Sequence, residues 1–255
     1  MCATCGCDSN GNVSMHDVNE NNHSHNHFQE HSHSNQHQKK TIDVVQDVLY
    51  ENNLLAQRNR GYFEAKNILA LNLVSSPGSG KTSLLEKTLS DLKNELTCYV
   101  IEGDQQTSND ADRIHATGTP VLQINTGKGC HLDAHMILHA LQHMKPKENS
   151  VMFIENVGNL VCPAMFDLGE TVRVVISSVT EGDDKPLNYP DMFHSSHLCI
   201  INKTDLLPYV PFSLETLKQN ALKVNHQLQF VELSAYKSDG LKNWYKWLKQ
   251  RVTLP

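Results

Sequence analysis

The chain has 255 residues and a net charge of −6 with histidine neutral, and 39% of its residues are hydrophobic and 20% charged. This composition is ordinary for a globular protein of one or at most two domains, and the acidic balance argues against a general nucleic-acid binder. No stretch approaches the ~20 apolar residues of a membrane helix, and the N-terminus lacks the features of a secretory signal, so we expect no membrane partner and a cytoplasmic location.

Residues 1–40 are rich in Asn, Ser, His, Gln and Cys, and we expect a disordered tail because this composition offers little apolar surface to bury. Cys2, Cys5 and Cys7 fall in the first seven residues. In a reducing compartment such a cluster indicates metal ligands rather than disulfides. A planar set of three sulfurs and the terminal amine would suit Ni²⁺, and a tetrahedral set would suit Zn²⁺. The alternative is an incidentally cysteine-rich terminus.

Histidines farther along the tail form a looser set, which we interpret as a metal reservoir rather than a defined site. They are His23, His25, His27, His31, His33 and His37. The alternative is a solvated polar linker.

From residue 41 the composition changes, and we interpret 41–255 as one folded domain. Apolar residues at helical spacing predict one or two helices over about 41–66. Beyond them, short apolar runs alternate with helical stretches, which predicts an α/β fold with a doubly wound, mostly parallel sheet. Strands are predicted at 68–74, 98–101, 121–124, 151–154, 172–176, 198–201 and 229–233, and helices at 82–94, 106–116, 132–144, 213–226 and 239–251.

The first strand of this domain runs into SSPGSGKT at 75–82, which is close to the phosphate-binding pattern G-x-x-x-x-G-K-[ST], with Ser75 in the first glycine position. Glycines let backbone N–H groups turn toward a phosphate, Lys81 can reach the outer phosphates, and the Thr82 hydroxyl can bind Mg²⁺. The alternative is an accidental turn between a strand and a helix. The candidate nucleotide contacts here are Pro77, Gly78, Ser79, Gly80, Lys81, Thr82 and Ser83.

Two carboxylates lie where predicted strands end. Glu155 closes one strand, and Asp104 follows another in the segment EGD at 102–104. Because the carboxyl ends of parallel strands share one edge of the sheet, both side chains can hold Mg²⁺ or orient an attacking water. Together with Lys81 they are the candidate catalytic residues, and the alternative for each acid is a solvated loop position.

The segment NKTD at 202–205 follows a later strand and favours GTP over ATP. The Asp205 carboxylate can accept hydrogen bonds from the N1–H and the exocyclic amine of guanine, and adenine lacks this donor pair. Asn202, Lys203 and Asp205 are therefore candidate base contacts. Ser234 and Ala235, which follow the last predicted strand, occupy the position of a second guanine loop.

Cys130, His131 and Cys162 follow two different strands and could converge beside the nucleotide as a second metal site. The spacing leaves equally open that they are unrelated residues. Cys98 and Cys199 lie in apolar strands and are interpreted as core. His135, His139 and His143 share a helical face with His131; they could extend a metal surface, but we favour a solvated polar face.

Several motifs together resemble the HypB family of GTPases, which help to insert nickel during maturation of nickel–iron hydrogenases. They are MCATCGC at 1–7, LNLVSSPGSGKT at 71–82, EGD at 102–104, GCHLD at 129–133, ENVGNLVCP at 155–163, TEGDDKP at 180–186 and NKTD at 202–205. The resemblance covers essentially all of 41–255 and the first seven residues. It implies a P-loop NTPase fold of the SIMIBI-type G domain, and the family tolerates serine at the position of Ser75.

The resemblance also implies roles for individual residues. Cys2, Cys5 and Cys7 match the family's tight nickel site, and Cys130, His131 and Cys162 match its nickel- or zinc-binding site in the GTPase domain. It implies GTP, Mg²⁺ and Ni²⁺ as ligands, with Zn²⁺ as an alternative metal. The implied partners are a second copy in a GTP-dependent homodimer, a second nickel chaperone and the hydrogenase large-subunit precursor.

Two other functions stay open from the sequence. A metal storage or detoxification protein with a vestigial nucleotide site would carry the same tail, but the intact Lys81, Thr82 and Asp205 speak against it. A related metallochaperone GTPase could serve urease or a zinc target, and the cysteine-rich terminus speaks against that.

Overall fold

The computed structural model describes residues 14–17, 39–104 and 109–252. Its strands are β1 (Ser14–Asp17), β2 (Leu69–Ser75), β3 (Cys98–Asp104), β4 (Val121–Asn125), β5 (Val151–Glu155), β6 (Val172–Ser178), β7 (Leu198–Asn202) and β8 (Gln229–Glu232). Its helices are α1 (Lys39–Ala65), α2 (Lys81–Leu92), α3 (Asn109–Ala116), α4 (Ala134–Met144), α5 (Cys162–Met165), α6 (Lys185–Asn188), α7 (Pro190–Ser195), α8 (Leu214–Val224) and α9 (Leu241–Val252), and a 3₁₀ helix covers Thr204–Tyr209.

These strands form one sheet in the order β1-β4-β3-β5-β2-β6-β7-β8. The strands from β4 to β8 run parallel to one another, and only β1 is antiparallel to its neighbour β4. The strand order changes direction around β2 and β5, so their carboxyl ends meet at the crevice where such sheets bind ligands. The predicted doubly wound P-loop NTPase fold is confirmed.

Both faces of the sheet are covered, which explains why its central strands are almost continuously apolar. On one face, leucines of α2 pack with Ala111 and Ile114 of α3 and with Trp244 of α9. On the other face, α4 and the end of α1 cover one half of the sheet, and α7 and α8 cover the other. None of the described helices is long and apolar enough to span a membrane.

The tail predicted to be disordered lies largely outside the described residues, as do Cys2, Cys5, Cys7 and the histidines assigned to a reservoir. Ser14–Asp17 departs from that expectation, because it pairs with β4 from Ser14 opposite Asn125 to Asp17 opposite Leu122. An open sheet edge offers backbone donors and acceptors to any extended segment, so composition does not reveal such pairing.

Two further differences from the sequence-based prediction concern the site. Strand β3 continues through Glu102 to Asp104, so both acids belong to the sheet and do not lie in a loop. Helices α5, α6 and α7 were not predicted. Each has only four to six residues, and such a segment is too short to show the spacing of apolar residues that identifies a helix.

A buried ion pair holds the segment that contains α5. The side chains of Arg173 on β6 and Glu170 are only 6% and 5% exposed, and their closest atoms are 2.8 Å apart. Arg173 also donates hydrogen bonds to the backbone oxygens of Ala164 (3.2 Å) and Phe166 (2.9 Å). This network therefore fixes the chain just beyond Cys162.

Replacing Arg173 with methionine should lower the free energy of unfolding by about 3–5 kcal/mol, because the Glu170 carboxylate would stay buried without its cationic partner. Urea denaturation followed by circular dichroism measures this change. Arg60→Met is the matched control: its partner is Asp167, the two side chains are 30% and 34% exposed, and the loss should be at most about 1 kcal/mol. Equal losses in the two variants would contradict the account.

Candidate functional site

The predicted phosphate loop lies between β2 and α2 and turns at two glycines. Gly78 and Gly80 adopt φ of 76° and 88°, a left-handed conformation that side chains disfavour. A Cβ atom on Gly80 would lie 2.6 Å from Nδ2 of Asn202, so only glycine fits at this point. Pro77 is exposed, and its Cα lies 3.3 Å from where a Cβ on Gly158 would be. The loop is thus packed between two other loops of the same sheet edge.

The predicted guanine loops contact the phosphate loop directly. Asn202 Nδ2 donates to the backbone oxygen of Ser79 (2.9 Å), and Lys203 Nζ donates to that of Gly78 (2.7 Å). Asn202 Oδ1 accepts a hydrogen bond from the backbone N–H of Ala235 (3.1 Å). Asn202 therefore joins all three predicted nucleotide loops.

Asp205 follows in the 3₁₀ helix and has a buried Oδ1 that finds no hydrogen-bond partner within the described part of the chain. A buried carboxylate oxygen is costly when it is unsatisfied, so this atom is suited to accept a ligand's N–H groups. Asp205 also borders a cavity of ≈ 670 Å³, together with Asp239 and Asn243. Ser234 is fully buried, and its Oγ accepts from the backbone N–H of Lys237 (3.0 Å).

Lys81, Thr82 and Glu155 form a compact polar cluster at the start of α2. Thr82 Oγ1 donates to Glu155 Oε1 (2.6 Å), and Lys81 Nζ lies 3.5 Å from the same oxygen. Burial raises the pKa of the Glu155 carboxyl, while Lys81 and Thr82 act in the opposite direction. The second oxygen, Glu155 Oε2, has no hydrogen-bond partner among the residues described. An unsatisfied carboxylate oxygen beside a hydroxyl is a donor set that suits Mg²⁺.

Glu102 is a site residue that the sequence analysis did not select. It lies directly opposite Glu155 in the β3–β5 register and is 2% exposed. Burial, followed by the charges of Glu155 and Asp104, raises the pKa of Glu102 to about 9. At neutral pH it therefore carries a proton, and only part of the acidic cluster is charged. Asp104 ends β3 half-buried at the same sheet edge.

Ser83, the last predicted phosphate-loop contact, is placed differently from the others. It is exposed, and its Oγ accepts from Arg113 of α3 (3.0 Å). The same guanidinium also binds Glu86 (2.7 Å). The structure thus places the Ser83 side chain between α2 and α3, away from the Lys81 cluster.

Cys130, His131 and Cys162 come together, with their ligand atoms all within 4.8 Å of one another. Ligands of one tetrahedral metal ion are roughly 3.4–3.8 Å apart, so only a small contraction would place all three on one ion. The Cys130 Sγ is 3.7 Å from the His131 Nδ1. Burial is the main cause that lowers the pKa of His131, which favours the neutral imidazole, the form that can donate a lone pair.

Neighbouring groups hold these ligands in place. The His131 ring stacks on Phe166 with centroids 3.9 Å apart, and Asn159 Nδ2 donates to the backbone oxygen of Cys130 (3.3 Å). Asp133 caps α4 by accepting from the backbone N–H of Met136 (2.8 Å). Contacts within the protein therefore hold the ring and the loop in position.

Asn156, directly after β5, contacts both clusters. Its backbone oxygen accepts from Lys81 Nζ (2.5 Å), and its side-chain Oδ1 accepts from the backbone N–H of Leu132 (3.1 Å), next to His131. Asn156 is fully buried, and its Nδ2 donates to Asn72 Oδ1 (3.3 Å). One residue thus links Lys81 to the loop that contains His131.

Glu181 is another residue that the sequence analysis missed. Its Oε1 accepts from Ser79 Oγ (2.6 Å) and from the backbone N–H of Ser178 (3.0 Å), and its Oε2 lies 3.2 Å from Lys185 Nζ. Glu181 and Asn156 lie inside motifs that carried the resemblance. Residue type and spacing alone gave no mechanism for them, and only their inclusion in those motifs could have flagged them.

Comparisons with known proteins agree with this geometry. The family model "CobW/HypB/UreG, nucleotide-binding domain" matches residues 69–232. Hydrogenase maturation factor HypB of Rhizobium leguminosarum bv. viciae is 57% identical over 212 residues, which cover 83% of this chain and 71% of that protein. HypB of Escherichia coli K12 is 55% identical over 212 residues, which cover 83% of this chain and 73% of that protein.

Among solved structures, HypB from Helicobacter pylori in complex with nickel superposes with a TM-score of 0.75 at 36% identity, covering 79% of this chain and 95% of that one. Sequence, domain family and fold therefore agree. This chain belongs to the HypB family, within the CobW/HypB/UreG group of nucleotide-binding domains.

Proposed function

We propose that this protein is a cytoplasmic, GTP-hydrolysing nickel metallochaperone that helps to deliver nickel to the precursor of the nickel–iron hydrogenase large subunit. The observation that carries the proposal is the link made by Asn156. It joins a phosphate-binding lysine to a cluster of two thiols and one imidazole. Soft thiolate and imidazole ligands suit nickel, and the link offers a route for nucleotide control.

GTP is the nucleotide that these residues fit best. The phosphate loop presents backbone N–H groups at the N-terminus of α2, where the helix dipole favours anions. Lys81 would neutralise the outer phosphates, and Asp205 would use its unsatisfied oxygen to accept guanine N–H groups. Lys203 and Asn202 keep the base loop and the phosphate loop at a fixed separation.

Mg²⁺ would be held by the Thr82 hydroxyl, with Glu155 and Asp104 nearby. When bound, Mg²⁺ would neutralise part of the negative charge of the phosphates. The hydrogen bond from Thr82 to Glu155 already aims the hydroxyl oxygen at this position. Glu155 and Asp104 would order water at the same edge. Turnover should be slow, because no arginine finger is identifiable from the sequence.

Nickel is the cargo of the inner metal site formed by Cys130, His131 and Cys162. Cys98 and Cys199 would not compete, because burial raises the pKa of both thiols to about 12 and keeps them protonated. We assign Cys2, Cys5 and Cys7 to a second nickel site and the tail histidines to storage. Zn²⁺, which also takes thiolate and imidazole ligands, is the alternative occupant of the inner site.

The nucleotide would act on the metal through Asn156. When Lys81 turns toward a γ-phosphate, its hydrogen bond to the Asn156 backbone must change, and the Asn156 side chain carries the change to Leu132 and His131. A GTP-dependent homodimer and a second nickel chaperone would complete the delivery step. These partners rest on the family resemblance.

Asn156→Ala should uncouple the two sites, because it removes the bond to Leu132 but keeps the backbone oxygen that binds Lys81. Nickel release is followed by thiolate–nickel absorption in a full-length chain with Cys2, Cys5 and Cys7 changed to serine. With Asn156 present, release rates with GDP and a non-hydrolysable GTP analogue should differ at least about fivefold. In Asn156→Ala the ratio should fall below about twofold.

Asn159→Ala is the matched control. It removes a bond to the same metal loop but no contact with Lys81. It should therefore change nickel release with both nucleotides and leave their ratio intact. An unchanged ratio in Asn156→Ala would refute the proposed route.

Asp205→Asn should exchange the base preference. An amide pairs poorly with the guanine donors but well with xanthine, which has an oxygen in place of the exocyclic amine. GTP binding should weaken roughly 10- to 100-fold and XTP binding should improve. Calorimetry with both nucleotides measures this, and Asp239→Asn, which changes an acid on the same cavity, should leave the preference unchanged. An unaltered preference for GTP over XTP in Asp205→Asn would contradict the assignment of Asp205 as the guanine contact.

Lys81→Ala should abolish delivery in cells. At low nickel, hydrogenase activity should fall toward that of cells without the protein, and excess nickel should restore it by bypassing delivery. Lys87→Ala on the exposed side of α2 is the control and should behave as wild type. Wild-type activity in Lys81→Ala at low nickel would instead favour a storage protein with a vestigial nucleotide site.

A further inference from the structure

Strand β1 fixes the edge of the sheet from which the N-terminal tail departs. It pairs antiparallel with β4, and Ser14 lies opposite Asn125. Because Asn125 ends β4, Ser14 lies at the carboxyl edge of the parallel strands, where the nucleotide and metal loops begin. The three tail cysteines, Cys2, Cys5 and Cys7, precede Ser14 in the chain. They are therefore connected to the sheet at the edge that carries the inner metal site.

A tight turn keeps Cys130 close to the end of β4. The backbone N–H of Gly129 donates to the backbone oxygen of Thr126 (2.8 Å), and the Thr126 hydroxyl donates to that of Gly129 (2.8 Å). A turn of this kind holds its end Cα atoms within about 7 Å, so the Cα of Cys130 lies within about 15 Å of that of Asn125. Paired Cα atoms of antiparallel strands are about 5 Å apart, which places Ser14 within about 20 Å of Cys130.

The tail is long enough to span this distance while β1 stays paired. Cys7 precedes Ser14 by seven positions, and an extended chain of that length spans up to about 24 Å. A group on such a short tether has an effective concentration in the millimolar range. The Cys7 thiolate would therefore compete with water for a ligand position on a metal ion at Cys130.

The inner site can take one more ligand. Within the described part of the chain, Cys130, His131 and Cys162 supply three ligand atoms, whereas a four-coordinate ion takes four. Cys130 and His131 are half-buried, so the cluster is open to a ligand from outside its own loops. A thiolate is a soft ligand and suits nickel.

We propose that β1 tethers the tail so that Cys7 binds the nickel ion held by Cys130, His131 and Cys162, and that nickel passes between the tail and the inner site of one chain through this shared complex. In each exchange step, a nickel–sulfur bond to one site breaks as a bond to a ligand of the other site forms. A thiol gives up its proton when it binds nickel, a released thiolate takes one up from solvent, and nickel stays divalent. This role rests on the proposed function, which makes nickel the cargo of the inner site, whereas the tether does not.

The test measures the nickel affinity of the inner site without nucleotide. It uses the full chain with Cys2 and Cys5 changed to serine, so that the tail cannot form a site of its own. Thiolate–nickel absorption reports binding, and a metal buffer sets the free Ni²⁺ concentration so that the tail histidines cannot deplete it. With Cys7 present, nickel should bind at least about tenfold more tightly than in the Cys7→Ser variant. With Cys130 and Cys162 changed to serine and Cys7 kept, the absorption should be lost over the same range.

Two matched insertions distinguish a tail anchored at β1 from a tail anchored only at α1. About twenty Gly and Ser residues between Gly11 and Asn12 lengthen the tether before β1 and should weaken the contribution of Cys7 about fivefold. The same insertion between Glu20 and Asn21, after β1, should leave that contribution unchanged. A tail anchored only at α1 would respond to both insertions alike, by about twofold, because its tether is already long.

Equal effects of the two insertions would overturn the tether, and equal nickel affinity with and without Cys7 would overturn the shared complex. Absence of nickel binding both with and without Cys7 would contradict the cargo assignment in the proposed function as well. A metal-free measurement then tests the tether alone. In a glutathione redox buffer, with Cys2, Cys5 and Cys162 changed to serine, a disulfide between Cys7 and Cys130 should form with an effective concentration in the millimolar range. The two insertions should change that concentration as they change nickel affinity, and insensitivity to both would refute the tether.

Discussion

The hydrogen bonds of Asn156 connect the two halves of this site. The residue follows the strand that carries Glu155, so the sheet fixes its backbone, and its side chain is fully buried. Lys81 is bound on one side and Leu132 on the other. A buried amide with several partners has few alternative positions, because each broken bond leaves an unsatisfied polar group. Under the proposed function, a shift of Lys81 would therefore be felt at Cys130 and His131, which precede Leu132.

The electrostatics of the sheet edge support the same arrangement. Glu102, Asp104 and Glu155 lie at the ends of β3 and β5, and Lys81 Nζ lies 3.5 Å from Glu155. Glu102 remains protonated, and Glu155 keeps an unsatisfied oxygen. Such a cluster is stable only with partial protonation or with an added cation. Magnesium and nucleotide would arrive together at a place that already favours a cation beside Lys81 and an anion at the helix terminus.

The contrast between predicted and unpredicted features has a physical cause. The phosphate loop and the guanine loop are contiguous segments, so their sequence specifies their chemistry, and alternating strands and helices specify the sheet. The sequence could suggest that Cys130, His131 and Cys162 lie close together, because they follow strands that end at one edge of the sheet. Asn156 and Glu181 could not be assigned roles, since Leu132 and Ser79, which they contact in other loops, are 24 and 102 residues away in the chain. The edge strand Ser14–Asp17 was missed because backbone pairing leaves little trace in composition.

Coupling between two binding sites is reciprocal, so the central claim can be tested from the nucleotide side. The measurement is calorimetry on the full chain with Cys2, Cys5 and Cys7 changed to serine, comparing a GTP analogue with GDP, with and without one equivalent of nickel. The account predicts that nickel changes the ratio of the two affinities by the same factor by which the nucleotides change nickel affinity. Changing Cys130 and Cys162 to serine should remove the effect. An affinity ratio that is the same with and without nickel would contradict the account.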